Sequence, residues 1–277
     1  MGYHDTKSGR IGDPSGECGF LLLASQGFTS KRPTMLEELQ YRILMRFSAP
    51  LGESTAYVGR SKLRANIPED WLERLTGKVV ADFGCGEGLE CRELSHIADQ
   101  VIGVDIEENA RRAAKQNNCE NSNVEICETL RENVDAILTI DSFEHFAEPA
   151  GVLELMKSKL KRGGCIIFSF GPTWYHPLGG HLFSFFPWSH LVFSESTLCR
   201  WRANFRDDGA TKFSEVEGGL NKMTIARFEK LVRRSGLEVK ELLTVPIRKF
   251  RWAHSHLTRE FTTSVVRGVI VRPRTEA

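Results

Sequence analysis

The stretch KVVADFGCGEG, residues 78–88, decides how the rest of the chain is read. Val79, Val80 and Ala81 form a short apolar run without polar alternation, as a parallel strand buried on both faces requires. Asp82 closes the run, and Gly84, Gly86 and Gly88 follow at alternate positions. Glycines spaced this closely allow a sharp turn and let backbone N–H groups approach a ligand with no Cβ in the way. From Leu89 to Ile97 the spacing turns helical, with Leu89, Leu94 and Ile97 on one face. Strand, glycine turn and helix together predict the opening βα unit of a nucleotide-binding α/β sheet.

The spacing narrows the ligand. A dinucleotide fingerprint, G-x-G-x-x-G, needs glycine where Leu89 stands. What is present is D-x-G-x-G-x-G, followed by a second apolar run, Val101 to Val104, that ends on Asp105. An acid placed there commonly accepts from ribose hydroxyls. These residues resemble the first motif, and the acid after it, of the class I S-adenosylmethionine-dependent methyltransferases, in particular small-molecule members of the type 11 and 12 kind. The resemblance runs from about Lys78 to the end of the chain. It implies a Rossmann-like, doubly wound, mostly parallel sheet of seven strands, with S-adenosyl-L-methionine as cofactor. It also places Asp82, Gly84, Cys85, Gly86 and Gly88 around the methionine portion, Asp105 on the ribose and Ile106 against the adenine. Glu128, with Thr129 beside it, would follow the third strand where many members carry an acid for the adenine amino group. Here Cys127-Glu128 replaces the usual Gly-Asp. Asp141 opens DSFEHF, similar to the D/E-x-x-x-E-H segment of small-molecule members, and would face the methionine end or the substrate mouth.

Composition sets bounds. The chain has 277 residues, 41% hydrophobic and 26% charged, with 37 basic against 36 acidic side chains. That is an ordinary globular composition with no global field for nucleic acid. No apolar run reaches the ~20 residues that span a bilayer, so no membrane is expected as a partner. The seven cysteines are scattered and form no C-x-x-C pair, which reads as a reduced, cytoplasmic protein without a structural metal.

Taken in order, residues 1 to about 32 are rich in Gly, Ser and charge. Pro33 opens a predicted helix whose stripe is Met35, Leu36, Leu39, Ile43, Leu44 and Phe47. It reads as a lid, as a cover on the sheet, or as a contact that would make a homodimer. Residues 1–60 are thus expected to be an N-terminal extension, and 61–277 the catalytic domain. A short helix is predicted from Pro68 to Leu75, with Trp71 and Leu72 inward. Strands are predicted at Asn123–Cys127, Val134–Ile140, Cys165–Phe170, Leu237–Val245 and Thr262–Val271. Helices are predicted at Glu107–Gln116, Leu153–Leu160 (stopped by Gly163 and Gly164) and Thr224–Arg234. By the resemblance, the last two strands form an antiparallel edge hairpin.

Residues 171–220 exceed what such a core needs. GPTWYHPLGGHLFSFFPWSHLVFSE is a long aromatic segment leaving a strand where α/β enzymes build substrate pockets, or else a small satellite core. Trp174, Tyr175, Phe183, Phe185, Phe186 and Trp188 are expected to wall an acceptor site. His181, brought near a ligand by Gly179 and Gly180, is the first candidate base, with Tyr175 and His145 as further catalytic candidates. His176, His181 and His190 match no compact metal signature. The basic, aromatic stretch IRKFRWAHSHLTR reads as a solvated face or as a nucleic-acid contact. The expected function is methyl transfer to a small, partly apolar acceptor. Its rivals are RNA or protein methylation and a catalytically inactive cofactor-binding interaction module.

Overall fold

The computed structural model describes residues 33–50, 60–216 and 218–274. Residues 1–32 and 51–59 of the expected 1–60 extension therefore lie outside the described residues. Seven strands form one sheet in the order β3-β2-β1-β4-β5-β7-β6. They are β1 (Val79–Phe83), β2 (Gln100–Val104), β3 (Val124–Cys127), β4 (Val134–Ile140), β5 (Leu160–Phe170), β6 (Glu238–Pro246) and β7 (Thr263–Val271). The first five run parallel, and β7 is antiparallel to both β5 and β6. The mostly parallel sheet with its edge hairpin is the architecture expected from the sequence.

Ten helices are described: α1 (Met35–Phe47), α2 (Lys62–Asn66), α3 (Glu69–Glu73), α4 (Leu89–Leu94), α5 (Glu108–Asn117), α6 (Pro149–Lys159), α7 (Ser189–Val192), α8 (Glu195–Arg202), α9 (Ile225–Arg234) and α10 (Arg259–Thr262). Alternating strand residues feed opposite layers. Val80, Ala136 and Leu138 pack with Leu63, Trp71 and Leu72 from α2 and α3. Ala81 and Ile137 pack on the other side with Phe143, Phe168, Phe170 and Phe228. Those four phenylalanine rings meet edge-on, tilted or, for Phe168 and Phe170, stacked, at centroid separations of 4.5 to 6.2 Å, favourable for aromatic pairs.

Three local expectations need correction. Gly163 and Gly164 lie inside β5 at a register shift against β4, so α6 ends at Lys159 without a glycine stop. Its last carbonyls are met instead by Arg272, whose guanidinium donates to the Lys157 and Leu160 carbonyls. Leu89 is exposed, because it sits at the first position of α4 and faces outward from the turn. The α1 stripe is mostly exposed as well: Leu44 is buried, whereas Met35, Leu36, Leu39 and Phe47 face out. α1 is held by its other side, through Tyr41 over the Arg200 guanidinium and Glu38 paired with Arg200 on α8.

The insertion is loop interrupted by two short helices. α7 and α8 organise a third core in which Leu44, Phe183, Phe193, Leu198, Trp201 and Phe213 are all buried. Its third side chain in the expected wall, Phe183, belongs to this core.

Candidate functional site

β1 and β4 are neighbours, so the residues following Phe83 and Ile140 leave the sheet side by side at its carboxyl edge. At Gly84 (φ +81°) a Cβ would stand 2.7 Å from the Ser142 hydroxyl oxygen. Conformation and space both demand glycine there. Gly88 (φ +73°) caps α4 in the left-handed region, and a Cβ would stand 2.9 Å from that of Ala114, so α4 and α5 close against the turn. Gly86 has open space where its side chain would be. Its N–H donates to Asp105 Oδ2 at 2.9 Å, and Glu107 N–H donates to Asp105 Oδ1 at 2.9 Å. The carboxylate is thus fixed by two backbone donors, and an ionised carboxylate still has free acceptor positions for two hydroxyls.

A cleft of about 200 Å³ opens at the turn, lined by Lys62, Asp82, Gly84, Gly86, Leu89 and Glu90, among others. Asp82 is buried. Burial first, then the negative charge of Glu90, pushes its pKa up to about 7, against the Cys91 thiol that donates to Oδ2 at 3.3 Å. Burial also raises the Glu90 carboxyl, and Lys62 opposes that rise. Lys62 Nζ lies 3.5 Å from Asp141 Oδ2. Asp141 itself sits at φ +52°, a left-handed conformation that aspartate tolerates better than most residues. An acid-rich cleft with a single lysine beside it suits a cationic amino acid: the acids favour the positive groups and Lys62 the carboxylate. The side chain of Cys85 turns into the core next to Cys91, so position 85 offers the cleft its backbone.

The outer candidates are placed differently. Ile106 is 80% exposed and free to cover a flat ring. Glu128 and Thr129 line a separate cavity of about 560 Å³ between β3 and α5, together with Arg111. Arg111 Nη2 lies 3.7 Å from Glu128, and its Nη1 donates to the carbonyls of Asp105 and Ile106, tying that cavity to the Asp105 turn.

On the insertion side the structure joins His145 to His181 and leaves Tyr175 apart. His145 Nδ1 is 2.8 Å from the Gly219 carbonyl, which can only accept, so that nitrogen carries the proton. His145 Nε2 then accepts from His181 Nε2 at 3.5 Å, which leaves His181 Nδ1 as a buried lone pair without a hydrogen-bond partner. Burial first, then His145, lowers the His181 pKa to about 4. Tyr175 packs on Phe261 with ring centroids 5.1 Å apart. Gly179 and Gly180 serve the insertion's own packing, since a Cβ would overlap the Trp174 carbonyl at the first and the His190 side chain at the second. Trp174, Phe183 and Phe186 pack in or against the third core, while Phe185 is exposed. Half of the expected aromatic wall, Trp174, Phe183 and Phe186, is therefore satellite core. Among the described residues no group of three His, Cys, Asp or Glu side chains is disposed to hold a metal.

Sequence reasoning missed Lys62, Glu90, Arg111 and Glu144. Lys62 lies on α2, outside any motif, and no local signal marks it. Glu90 could have been found, as an acid in the first helical turn after the glycine-rich turn. Glu144 lies within DSFEHF and is buried; Gly171 N–H donates to its Oε1 at 3.0 Å, and Oε2 has no partner. Burial first, then Asp141, pushes its pKa up to about 8.

A family model described as "Methyltransferase domain" matches residues 81–168. The chain is 29% identical over 116 residues to a ubiquinone biosynthesis O-methyltransferase of Nitrosomonas europaea, covering 39% of this chain and 49% of that protein. It is 29% identical over 129 residues to the Idiomarina loihiensis protein of the same name, covering 43% and 53%. The chain thus spans about half the length of the curated relatives it matches. A solved S-adenosylmethionine dependent methyltransferase from Mesorhizobium loti aligns with a TM-score of 0.49 at 18% identity, covering 75% of this chain and 94% of that one.

Proposed function

Because residues 81–168 are a methyltransferase domain of the class I, S-adenosylmethionine-dependent kind, we propose that the chain transfers a methyl group to a small, partly apolar acceptor. The observation that carries this reading is the pair of backbone donors, from Gly86 and Glu107, that fix the Asp105 carboxylate beside an acid-rich cleft. The cofactor supplies a methyl group already activated by positive sulfur. The chain's own work is to hold, align and dry the reacting groups.

In this reading Asp105 takes the ribose hydroxyls and Ile106 covers the adenine. Lys62 takes the carboxylate, while Asp82, Glu90 and Asp141 favour the cationic groups. Glu128 and Thr129, from the neighbouring cavity, bound the adenine end. The insertion closes the acceptor side through His145 and His181, and His181 Nδ1 is the atom that would take an acceptor proton. Tyr175 stands at the rim, where it meets Phe261. Acceptor contacts then come from the insertion's exposed margin, since its inner aromatics are committed to the third core.

The test is turnover. With S-adenosylmethionine and a fractionated metabolite extract, S-adenosylhomocysteine should accumulate in acceptor-containing fractions, and the methylated product should be mass-shifted by one methyl group. Tight cofactor binding without release in any fraction would leave a binding module and end the catalytic reading.

A further inference from the structure

The connection between β6 and β7 takes no part in the cleft. It contains a 3₁₀ helix, Arg248–Ala253, none of whose residues is buried. Trp252 is 87% exposed and Leu257 92%. Around them Arg248, Lys249 and Arg251 are exposed, and no described carboxylate forms an ion pair with any of the three. The nearby acids are engaged elsewhere. Glu241 binds Arg74 and the Trp71 indole, Glu229 binds Arg259, and Glu260 accepts from the first N–H groups of α9. Cations and apolar side chains therefore share one outward surface.

That surface is held in shape. The His254 ring lies between the Thr244 and Thr262 hydroxyls, at 3.0 and 2.8 Å. Ile247 N–H donates to the Thr262 carbonyl at 2.7 Å, and Ser255 N–H donates to the Thr258 hydroxyl at 3.0 Å. Phe261, half exposed against Tyr175, extends the apolar strip to the insertion.

We propose that residues 247–262 are a docking surface for an anionic lipid bilayer. A tryptophan settles at the headgroup level, an aliphatic tip enters the acyl boundary, and nearby cations meet lipid phosphates. Either signal alone binds weakly; the two together give peripheral attachment. No helix among the described residues is long and apolar enough to cross a membrane, and this mode needs none. Single-stranded nucleic acid explains the surface less well, because Leu257, its most exposed apolar group, offers no ring on which a base could stack. Pro246 pairs with Thr263, and Phe170 with Val266, so the surface emerges at the carboxyl edge of β5. Docking would turn the crevice edge toward lipid. That last step rests on the function proposed above, whereas vesicle binding does not.

The test is sedimentation of the full chain with vesicles of phosphatidylcholine alone and with phosphatidylglycerol added. Wild type should partition to the anionic vesicles at least about tenfold more strongly, and less so in high salt. Replacing the cations (Arg248→Glu, Lys249→Glu, Arg251→Glu) or the tips (Trp252→Ser, Leu257→Ser) should each lower that partition about tenfold. All five side chains are exposed, so folding is not at stake, and unchanged S-adenosylmethionine affinity in both variants confirms it. No partition of wild type to anionic vesicles, or equal partition of wild type and both variants, overturns the proposal. So does binding of a single-stranded RNA oligonucleotide that the same variants abolish while vesicles are ignored.

Discussion

The turn at residues 84–88 is held by its own backbone: Gly84 and Cys85 N–H donate to the Val104 carbonyl, Gly86 N–H to the Asp105 carboxylate and Gly88 N–H to the Cys85 carbonyl. Across the same sheet edge, the insertion between β5 and α9 presents side chains resting on a separate core. The turn has little choice of sequence: Gly84 and Gly88 are fixed by left-handed backbone and by Ser142 and Ala114 pressing on the missing Cβ. The insertion is constrained by volume, since Phe183, Leu198, Trp201 and Phe213 need to fill a cavity but could do so in other combinations. In the reading proposed above, a cofactor site built on backbone is constant in kind, while an acceptor site built on side chains can be retuned without disturbing it. The two should then fail independently.

The largest effect should come from the insertion core. Trp201 is fully buried, and Trp201→Ala removes a large ring from a packed layer. It should destabilise the chain by about 3 to 5 kcal/mol in denaturant unfolding. In native buffer, S-adenosylmethionine affinity by calorimetry should stay within about twofold, given additivity between distant sites. Loss of both together would join the two regions into one unit. In the turn the order reverses. Asp105→Ala removes an acceptor fixed by Gly86 and Glu107, and two charge-assisted hydrogen bonds lost to the ribose amount to about a hundredfold in affinity. Unchanged calorimetric affinity would remove Asp105 from the site.

The same contrast explains what was legible beforehand. The glycine turn, Asp105 and the run of parallel strands followed from spacing, because backbone geometry writes itself into residue type at fixed offsets; the seven-stranded sheet and its edge hairpin were expected from the family resemblance. Thr224 and Pro68 marked the starts of α9 and α3 for the same reason: helix ends have local chemical needs. The role of the aromatic segment was not legible, since Phe183 and Trp174 look alike whether they face a ligand or each other. Lys62 escaped because its partner Asp141 is far along the chain, and the Gly163-Gly164 reading failed because a register shift between strands has no local code.

Glu144 lies between the two regions, on the turn after β4, with its backbone carbonyl accepting from the Asn221 N–H of the insertion side at 3.0 Å. Its carboxyl is raised from 4.5 to about 8. Between those values the folded protein keeps a proton that the unfolded chain releases, so stability falls as pH rises through the window. Asp82, raised to about 7, acts in the same sense over a narrower range. Together they should cost on the order of 6 kcal/mol between about pH 5 and 8. Glu144→Gln keeps the shape without the titration and should remove the larger part of that loss, about 4 kcal/mol. An unaltered slope in urea midpoints would mean that the carboxyl is solvated and the junction open.

The smallest effect should be at the histidine pair, where the comparison is sharpest because acceptor chemistry and packing meet. If His181 takes the acceptor proton, His181→Ala should lower turnover about tenfold and leave cofactor affinity intact. That lies below the usual range for a general base, because a group with pKa about 4 is a weak base near neutrality. Turnover alone cannot separate a lost base from a loosened wall, so the deciding measurement is the pH–rate profile. In the parent enzyme the acid limb belonging to His181 should lie near 4 and be barely visible above pH 5. His145→Gln removes the largest charge effect that holds that value down, beside burial and the smaller effects of His176 and His190. The limb should then move upward, toward the ordinary histidine range, and the rate at mildly acid pH should fall while the plateau stays near that of the parent. A packing role predicts no movement of any limb in His145→Gln, and an equal loss of rate at every pH in His181→Ala. The shape of the profile, more than its height, therefore decides whether the insertion takes a proton or merely closes the crevice.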